Sequence, residues 1–434
     1  MNLNQIINTP RLTALHLRVL GICFLLNMLD GMDVLVISFA APFISDAWDV
    51  SPGALGIVFS AALVGMALGA VFVSPYSDKL GRKKIIVGSI CTITAGMWFT
   101  ALSGSVTELA FFRFVAGLGI GSMLASLTSM VSEYAPDKYR NQAILILHAG
   151  YPIGAIIAGF MAAHILPQWG WQPLFEVTAL ISLCALPLAL FLLPESLDFL
   201  VSRQPAKALE KVNRILLSLK HTVVPSLPPV EVATTTSAGL PALLTSNLRS
   251  ATLLLWLAFM MAFASLYFLL SWVVKLAVDA GLPVEDAMLA GISLNLGAFF
   301  GSVLLGWLSS KMGLIRVISV FFILGAIASV VYGTVDMNVA GAIVAIFILM
   351  FFVQGGFTGL YAVAARLYPT SIRTTGVGWA IGAGRVGAVS GPALAGVLIG
   401  AGIPVGWMFI IFSIPLLVAT ATILKINHQP VKKD

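Results

Sequence analysis

Blocks of roughly 20 apolar residues, the length that crosses a bilayer core, recur along this chain and leave it few ways to fold. They fall at about 18–43, 52–75, 84–104, 107–131, 141–165, 171–193, 251–278, 285–310, 314–334, 339–365, 373–400 and 404–425. In lipid every backbone polar group must be satisfied within the spanning structure, which leaves helices or a closed barrel. A barrel needs short strands of alternating polarity, and these runs do not alternate. The chain is therefore expected to be an all-α polytopic membrane protein with twelve transmembrane helices. Only 10% of its residues are charged, against about 25% in soluble domains.

The net charge of +6 does not point to nucleic acid once its placement is considered. All but Arg113, Lys275 and Arg385 of the 24 Lys and Arg residues lie at the termini or in alternate loops that share one side. Short cytoplasmic loops gather Lys and Arg, so both termini are expected in the cytoplasm, which an even number of spans satisfies. The first apolar run is too long for a signal peptide and lacks a small-residue cleavage pattern. Cys23, Cys91 and Cys184 lie inside apolar runs, which predicts buried thiols rather than a disulfide or metal framework.

The only long polar segment divides the chain into an N-terminal six-helix half (1–193), a cytoplasmic linker (194–250) and a C-terminal six-helix half (251–434). Within the linker, Ala208, Val212, Ile215 and Leu219 share one helical face and Lys207, Lys211 and Arg214 another, the pattern of an interfacial amphipathic helix. A Pro/Thr/Ser-rich connector follows, VVPSLPPVEVATTTSAGLP. The halves echo each other: Lys79 and Gly81 match Lys311 and Gly313 at an offset of 232, and Pro136 and Arg140 match Pro369 and Arg373 at 233. This predicts two pseudo-symmetric halves. Transporters built from such repeats hold their substrate near the midplane between them.

The first apolar block carries NMLDGMD, with carboxylates at Asp30 and Asp33. A charged side chain at a helix centre costs roughly 2.5–3.5 kcal/mol even on the insertion scale, so two of them need a reason. They are i,i+3 neighbours on one helix face, and Asn27 continues that face by a turn as a substrate-binding candidate. Counting from Arg18, Asp30 lies about 18 Å deep. Two carboxylates this close in a low-dielectric site cannot easily both ionise, which makes the pair a candidate for proton coupling. His148, some two turns into the fifth helix, titrates near neutrality and is a further proton-coupling candidate.

Arg385 lies about 18 Å into the Gly-rich eleventh helix. A guanidinium there can grip a carboxylate with two parallel hydrogen bonds, which makes it a substrate anchor or a counter-ion to the Asp pair. Arg113 on the fourth helix is a substrate or proton-relay candidate, or a donor that steadies neighbouring helices. SPYSDKLGRKK, after the second helix, provides Asp78, Arg82 and Lys83 as a gate latch held by charge-assisted hydrogen bonds.

The spacing of Asp78, Lys79, Gly81, Arg82 and Lys83 closely resembles the signature loop of the major facilitator superfamily, with Ser74 where that loop usually starts with Gly. RFVAGLGIG (113–121) and PESLDFLVSR (194–203) extend the resemblance, which implies the major facilitator fold. Within the superfamily the chain resembles the aromatic acid:proton symporter family, through LDGMD (29–33), SEYAPDKYR (132–140), YFLLSWV (267–273) and YPTSIRTTGVGWAIGAGRVGAVSGP (368–392). The resemblance implies import of benzoate- or hydroxybenzoate-type carboxylates with protons through a bacterial inner membrane. For such a cargo Tyr151, Tyr267, Tyr361 and Trp379 are candidates to supply flat apolar surface with a polar handle.

A symporter of a non-aromatic acid such as muconate, quinate or a sugar acid is the alternative. A drug:proton antiporter is disfavoured, because GYPIGAIIAG in the fifth helix lacks the Pro expected after its second Gly. No metalloprotease, P-loop or nucleophile-elbow motif is present, so no enzymatic activity, metal or cofactor is expected. The expected partners are a small organic acid, a proton and the lipid bilayer, with no nucleic acid, and the protein is expected to be a monomer.

Overall fold

The computed structural model describes residues 13–136, 138–219, 221–228, 240–245, 248–368 and 372–427. Six long helices form the first half: α1 (Ala14–Trp48), α2 (Pro52–Leu80), α3 (Arg82–Ala101), α4 (Val106–Tyr134), α5 (Arg140–Trp169) and α6 (Gln172–Leu192). Two short helices follow, α7 (Leu197–Arg203) and α8 (Ala208–Ser218). The second half is α9 (Arg249–Asp279), α10 (Val284–Met312), α11 (Leu314–Thr334), α12 (Val339–Leu367), α13 (Arg373–Gly400) and α14 (Val405–Asn427). The twelve long helices are each apolar and long enough to cross a membrane, and no strand occurs among the described residues.

The repeat read from two loop landmarks extends into the packing. Gly65 and Gly69 of α2 lie against the backbone of Phe114 and Leu118 on α4, while Gly297 and Gly301 of α10 lie against Phe347 and Phe351 on α12. Likewise Gly154 of α5 abuts Met28 of α1, and Gly387 of α13 abuts Met260 of α9. Every residue in the second set follows its counterpart by 232 or 233 positions. Small residues let backbones approach closely where no hydrophobic effect separates helix from lipid. The loop glycines Gly81 and Gly313 share a positive φ, 104° and 89°, a conformation that glycine adopts without strain. Pro369, one of the sequence landmarks, lies outside the described residues, as does most of the Pro/Thr/Ser-rich connector.

Two expectations change. The apolar face of α8, with Ala208, Val212, Ile215 and Leu216, is buried within the protein and α8 packs beside α7. The helix is amphipathic as predicted, but its apolar face is covered by protein, with α7 among its neighbours, and not left for lipid. Cys23 is buried, whereas Cys91 and Cys184 sit on outward helix faces, where hydrocarbon rather than protein would surround a thiol.

The halves meet through α1 with α9, α2 with α13 and α5 with α10. Ser38 donates to the Ser271 carbonyl at 2.9 Å and Ser60 to the Val389 carbonyl at 2.7 Å. The Phe59 and Trp272 rings meet edge to face at 5.2 Å. Gly56 faces the Pro392 carbonyl, and Gly396 faces Pro52. All of these residues lie in the portions of their helices farthest from the termini. A Cβ at Gly56 would stand 2.8 Å from the Pro392 oxygen, so Gly56→Leu should force this end apart. A Ser271→Cys reporter should then react several-fold faster with a polar maleimide than it does with Gly56 intact; an unchanged rate would mean that this seam is not what closes the far end.

Candidate functional site

Glycine packing brings α1 and α5 together at mid-depth. Gly31 sits against the Tyr151 carbonyl, and Gly150 against Phe24 and Met28, so the NMLDGMD turn is pressed onto α5. Asn27 donates from Nδ2 to the Leu147 carbonyl at 2.7 Å. Its Oδ1 has no partner. Asp30 and Asp33 are both buried, at 1% and 0% exposure, and they feel each other electrostatically. Neither oxygen of Asp30 has a hydrogen-bond partner. Asp33 accepts one long bond from Ser182 Oγ of α6 at 3.4 Å.

Arg113 is fully buried beside this pair. It donates from one Nη to the backbone carbonyls of Asp33 and Val34 at 2.9 and 3.4 Å, and from the other to Met97 Sδ at 3.0 Å. Its observed contacts are thus those of a brace on the α1 backbone, with Asp33 as its electrostatic neighbour. No ion pair joins Arg113 or Arg385 to either aspartate among the described residues. The counter-ion arrangement expected as one role of Arg385 is absent from this geometry.

Arg385 instead stands within an aromatic wall of the second half. It donates to the Tyr267 hydroxyl at 3.2 Å, and its guanidinium lies 5.5 Å from the Phe263 ring centre. Phe263 stacks on Tyr267 at 5.7 Å and meets Phe357 edge-on at 4.5 Å. Tyr361 meets Phe259 and Phe357 at 5.4 and 5.5 Å. Aromatic edges and faces of this kind accept a flat ring in offset or T-shaped contact. Tyr267 accepts from Arg385 and keeps its own O–H to donate, so the two present convergent donors to an anion.

Tyr151 links the halves: it lies within electrostatic reach of Asp30 and Arg113 on its own side and of Tyr267 and Arg385 on the other. Two candidates are not brought in. His148 forms no hydrogen bond or ion pair with the carboxylates and is exposed on α5, one position along from the buried Leu147. Trp379 is 44% exposed and stacks on Trp256 at 5.8 Å, about 9 Å along α13 from Arg385. Sequence reading missed Ser182, Phe259, Phe263 and Phe357. The Phe259, Phe263, Tyr267 stripe at i,i+4 spacing was the available signal for three of the wall's rings.

The predicted latch residues Asp78 and Arg82 are paired, and further partners extend them. Arg82 reaches Asp78 at 3.6 Å but forms its close ion pair with Glu133 at the end of α4. Glu133 also accepts from Ser196 Oγ at 2.7 Å. Lys83 takes part through its backbone N–H, which donates to Glu195 at 3.0 Å. The Asp78 carboxylate is 71% exposed. In this state the loop is tied to α4 of the first half and to the start of the linker that enters α7.

Twelve membrane helices in two halves that share one repeat, with polar groups buried in both, are the architecture of transporters built from internal repeats. The chain belongs to the Major Facilitator Superfamily, whose sequence profile matches residues 23–353 and 255–434. It is 32% identical over 97% of its length to the gallate transporter of Pseudomonas putida, covering 94% of that protein. It is 31% identical to the 4-hydroxybenzoate transporter PcaK of Pseudomonas aeruginosa, over 98% of this chain and 95% of the relative. The benzoate transport protein of Acinetobacter baylyi is also 31% identical, over 99% of this chain and 93% of the relative. The fold is shared with a bacterial homologue of the lysosomal transporter Spinster, solved inward-facing and unoccupied, at a TM-score of 0.71 and 18% identity over 97% of this chain and 99% of that one. The chain is accordingly a multi-pass membrane transporter and not an enzyme.

Proposed function

We propose that this protein is a proton-coupled symporter that imports aromatic carboxylates of the benzoate and hydroxybenzoate type by alternating access. One observation carries the reading: one half holds an arginine set among aromatic rings with a tyrosine partner, and the other holds two buried carboxyls. Arg385 and Tyr267 bind the substrate carboxylate, Phe263, Phe357 and Tyr361 contact its ring, and Asp30 and Asp33 take up the proton. Arg113 holds the α1 backbone beneath the pair. Each ligand acts only through its different affinity for the two states, and substrate and proton together favour the closed, transiting form.

The rings around Arg385 favour an aromatic cargo over muconate, quinate or a sugar acid, none of which presents an aromatic ring to such walls. The relatives transport gallate, 4-hydroxybenzoate and benzoate by name, in keeping with this choice. The protein works as a monomer in a bacterial inner membrane with both termini cytoplasmic. Its helical halves are bounded near 193 and 251, and the latch of Asp78, Arg82 and Lys83 changes partners as the halves rock. With the termini cytoplasmic, a seam at the far end is in keeping with an inward-facing state. In proteoliposomes, labelled 4-hydroxybenzoate should accumulate under an inward proton gradient and stop doing so when the gradient is collapsed. Uptake that ignores the gradient would remove proton coupling, and preference for a non-aromatic acid would remove the aromatic assignment.

A further inference from the structure

The relatives divide on whether the aromatic ring of the cargo bears a hydroxyl, since benzoate has none while 4-hydroxybenzoate and gallate do. Identity near 31% to all of them leaves that choice open, and the geometry around Tyr151 bears on it directly. The Tyr151 hydroxyl is buried with no hydrogen-bond partner. Its backbone is fixed against Gly31 on α1, so the side chain has little freedom to withdraw. Its electrostatic neighbours across the halves are Tyr267 and Arg385, the pair assigned to the carboxylate, and its neighbour behind is Asp30, whose oxygens are also unpartnered.

The repeat adds a second, independent observation. Tyr151 falls within one residue of the position on α5 equivalent to Arg385 on α13, at the offset of 233 that relates Gly154 to Gly387. The two side chains therefore stand at matching depth on opposite halves. A buried polar group without a partner is costly and in native proteins is usually satisfied. Phe263 and Phe357 pack beside Tyr267 and Arg385, and their apolar faces suit the body of a ring and offer nothing to its substituents.

We infer that Tyr151 is the residue that reads a ring hydroxyl, so that the substrate class is the hydroxylated aromatic acids rather than benzoate itself. The inference rests on the aromatic-acid reading above. The substrate spans the halves, its carboxylate on Arg385 and Tyr267 and its hydroxyl on Tyr151, and so it draws α5 and α13 together. An acid lacking the hydroxyl fills the aromatic wall but leaves Tyr151 unpartnered. A site built to bond a substrate hydroxyl discriminates strongly against the analogue without it.

The test is uptake of benzoate, 3-hydroxybenzoate and 4-hydroxybenzoate by the full chain in proteoliposomes, with wild type and Tyr151→Phe. Wild type should prefer at least one hydroxylated acid over benzoate by about tenfold or more in kcat/KM. Tyr151→Phe should erase that preference by slowing the hydroxylated acid about tenfold more than benzoate, with a thermal melt matching wild type as the control for folding. Equal handling of all three acids by wild type, or an equal loss of all three in the variant, overturns the role of Tyr151 and leaves aromatic transport standing. Wild type that moves none of them, even in exchange without a gradient, overturns both readings.

Discussion

An Asp30→Asn protein should still exchange a labelled aromatic acid across a vesicle membrane yet fail to concentrate it. With one coupled proton, an inward gradient of one pH unit supports about tenfold accumulation, and the variant should fall to a ratio near one. Asp30 is chosen over Asp33 on geometry. Both Asp30 oxygens are buried without a partner, whereas Asp33 accepts from Ser182 and has Arg113 beside it. A carboxyl with no fixed donor is free to take up and release a proton as its surroundings rearrange. The amide is nearly isosteric and carries no charge to bury, so the variant avoids the several kcal/mol that an unpaired buried ion costs. Counterflow exchange separates this outcome from simple misfolding. If Asp30→Asn still accumulates substrate tenfold, coupling lies elsewhere, and Asp33→Asn becomes the informative variant.

Arg385→Gln should weaken substrate binding more than any other single change in the second half. Truncating one partner of a buried, hydrogen-bonded charge pair costs about 2–5 kcal/mol, or roughly 30-fold to several thousand-fold in Kd. Arg385→Lys keeps the charge but loses the planar fork that matches a carboxylate, so it should fall between wild type and Gln. Calorimetric titration of detergent-purified protein with 4-hydroxybenzoate would measure both, with thermal melting as the control for folding. A Kd that is unchanged in Arg385→Gln would place the carboxylate on another donor. The order wild type, Lys, Gln would instead identify fork geometry, and not charge alone, as the source of affinity.

Much of the architecture was legible because a bilayer fixes the length of what crosses it. Twelve apolar runs gave twelve helices, and loop landmarks such as Gly81 and Gly313 gave a repeat that the glycine contacts of α2, α5, α10 and α13 share. The depth of Asp30, Arg113 and Arg385 was equally readable, since depth follows from counting residues along a helix. Rotation and neighbours were not. Arg113 was open between a substrate or proton-relay role and a donor that steadies neighbouring helices, and only its contacts, the carbonyls of Asp33 and Val34, show the second. His148 and Trp379 lie on suitable helices but make no hydrogen bond or ion pair with the carboxylates or with Arg385 among the described residues. The close partner of Arg82 is Glu133, far away in sequence, and nothing in the local motif could name it. With 26 Phe in the chain, no single ring announced itself, although the stripe Phe259, Phe263, Tyr267 did carry a pattern.

The seam at the far end has a further consequence for turnover. Its two hydrogen bonds run from serine hydroxyls to backbone carbonyls, each worth about 0.5–1.5 kcal/mol net, and among the described residues no ion pair crosses it. The remainder is close glycine contact and ring packing, which can be parted without stranding a charge in lipid. A closure this lightly fastened sits near balance with its opposite, and a cycling machine needs both of its end states within thermal reach. Had the halves been pinned there by buried charge pairs, the affinity of a small acid would be consumed in breaking them, and the protein would hold its cargo rather than deliver it.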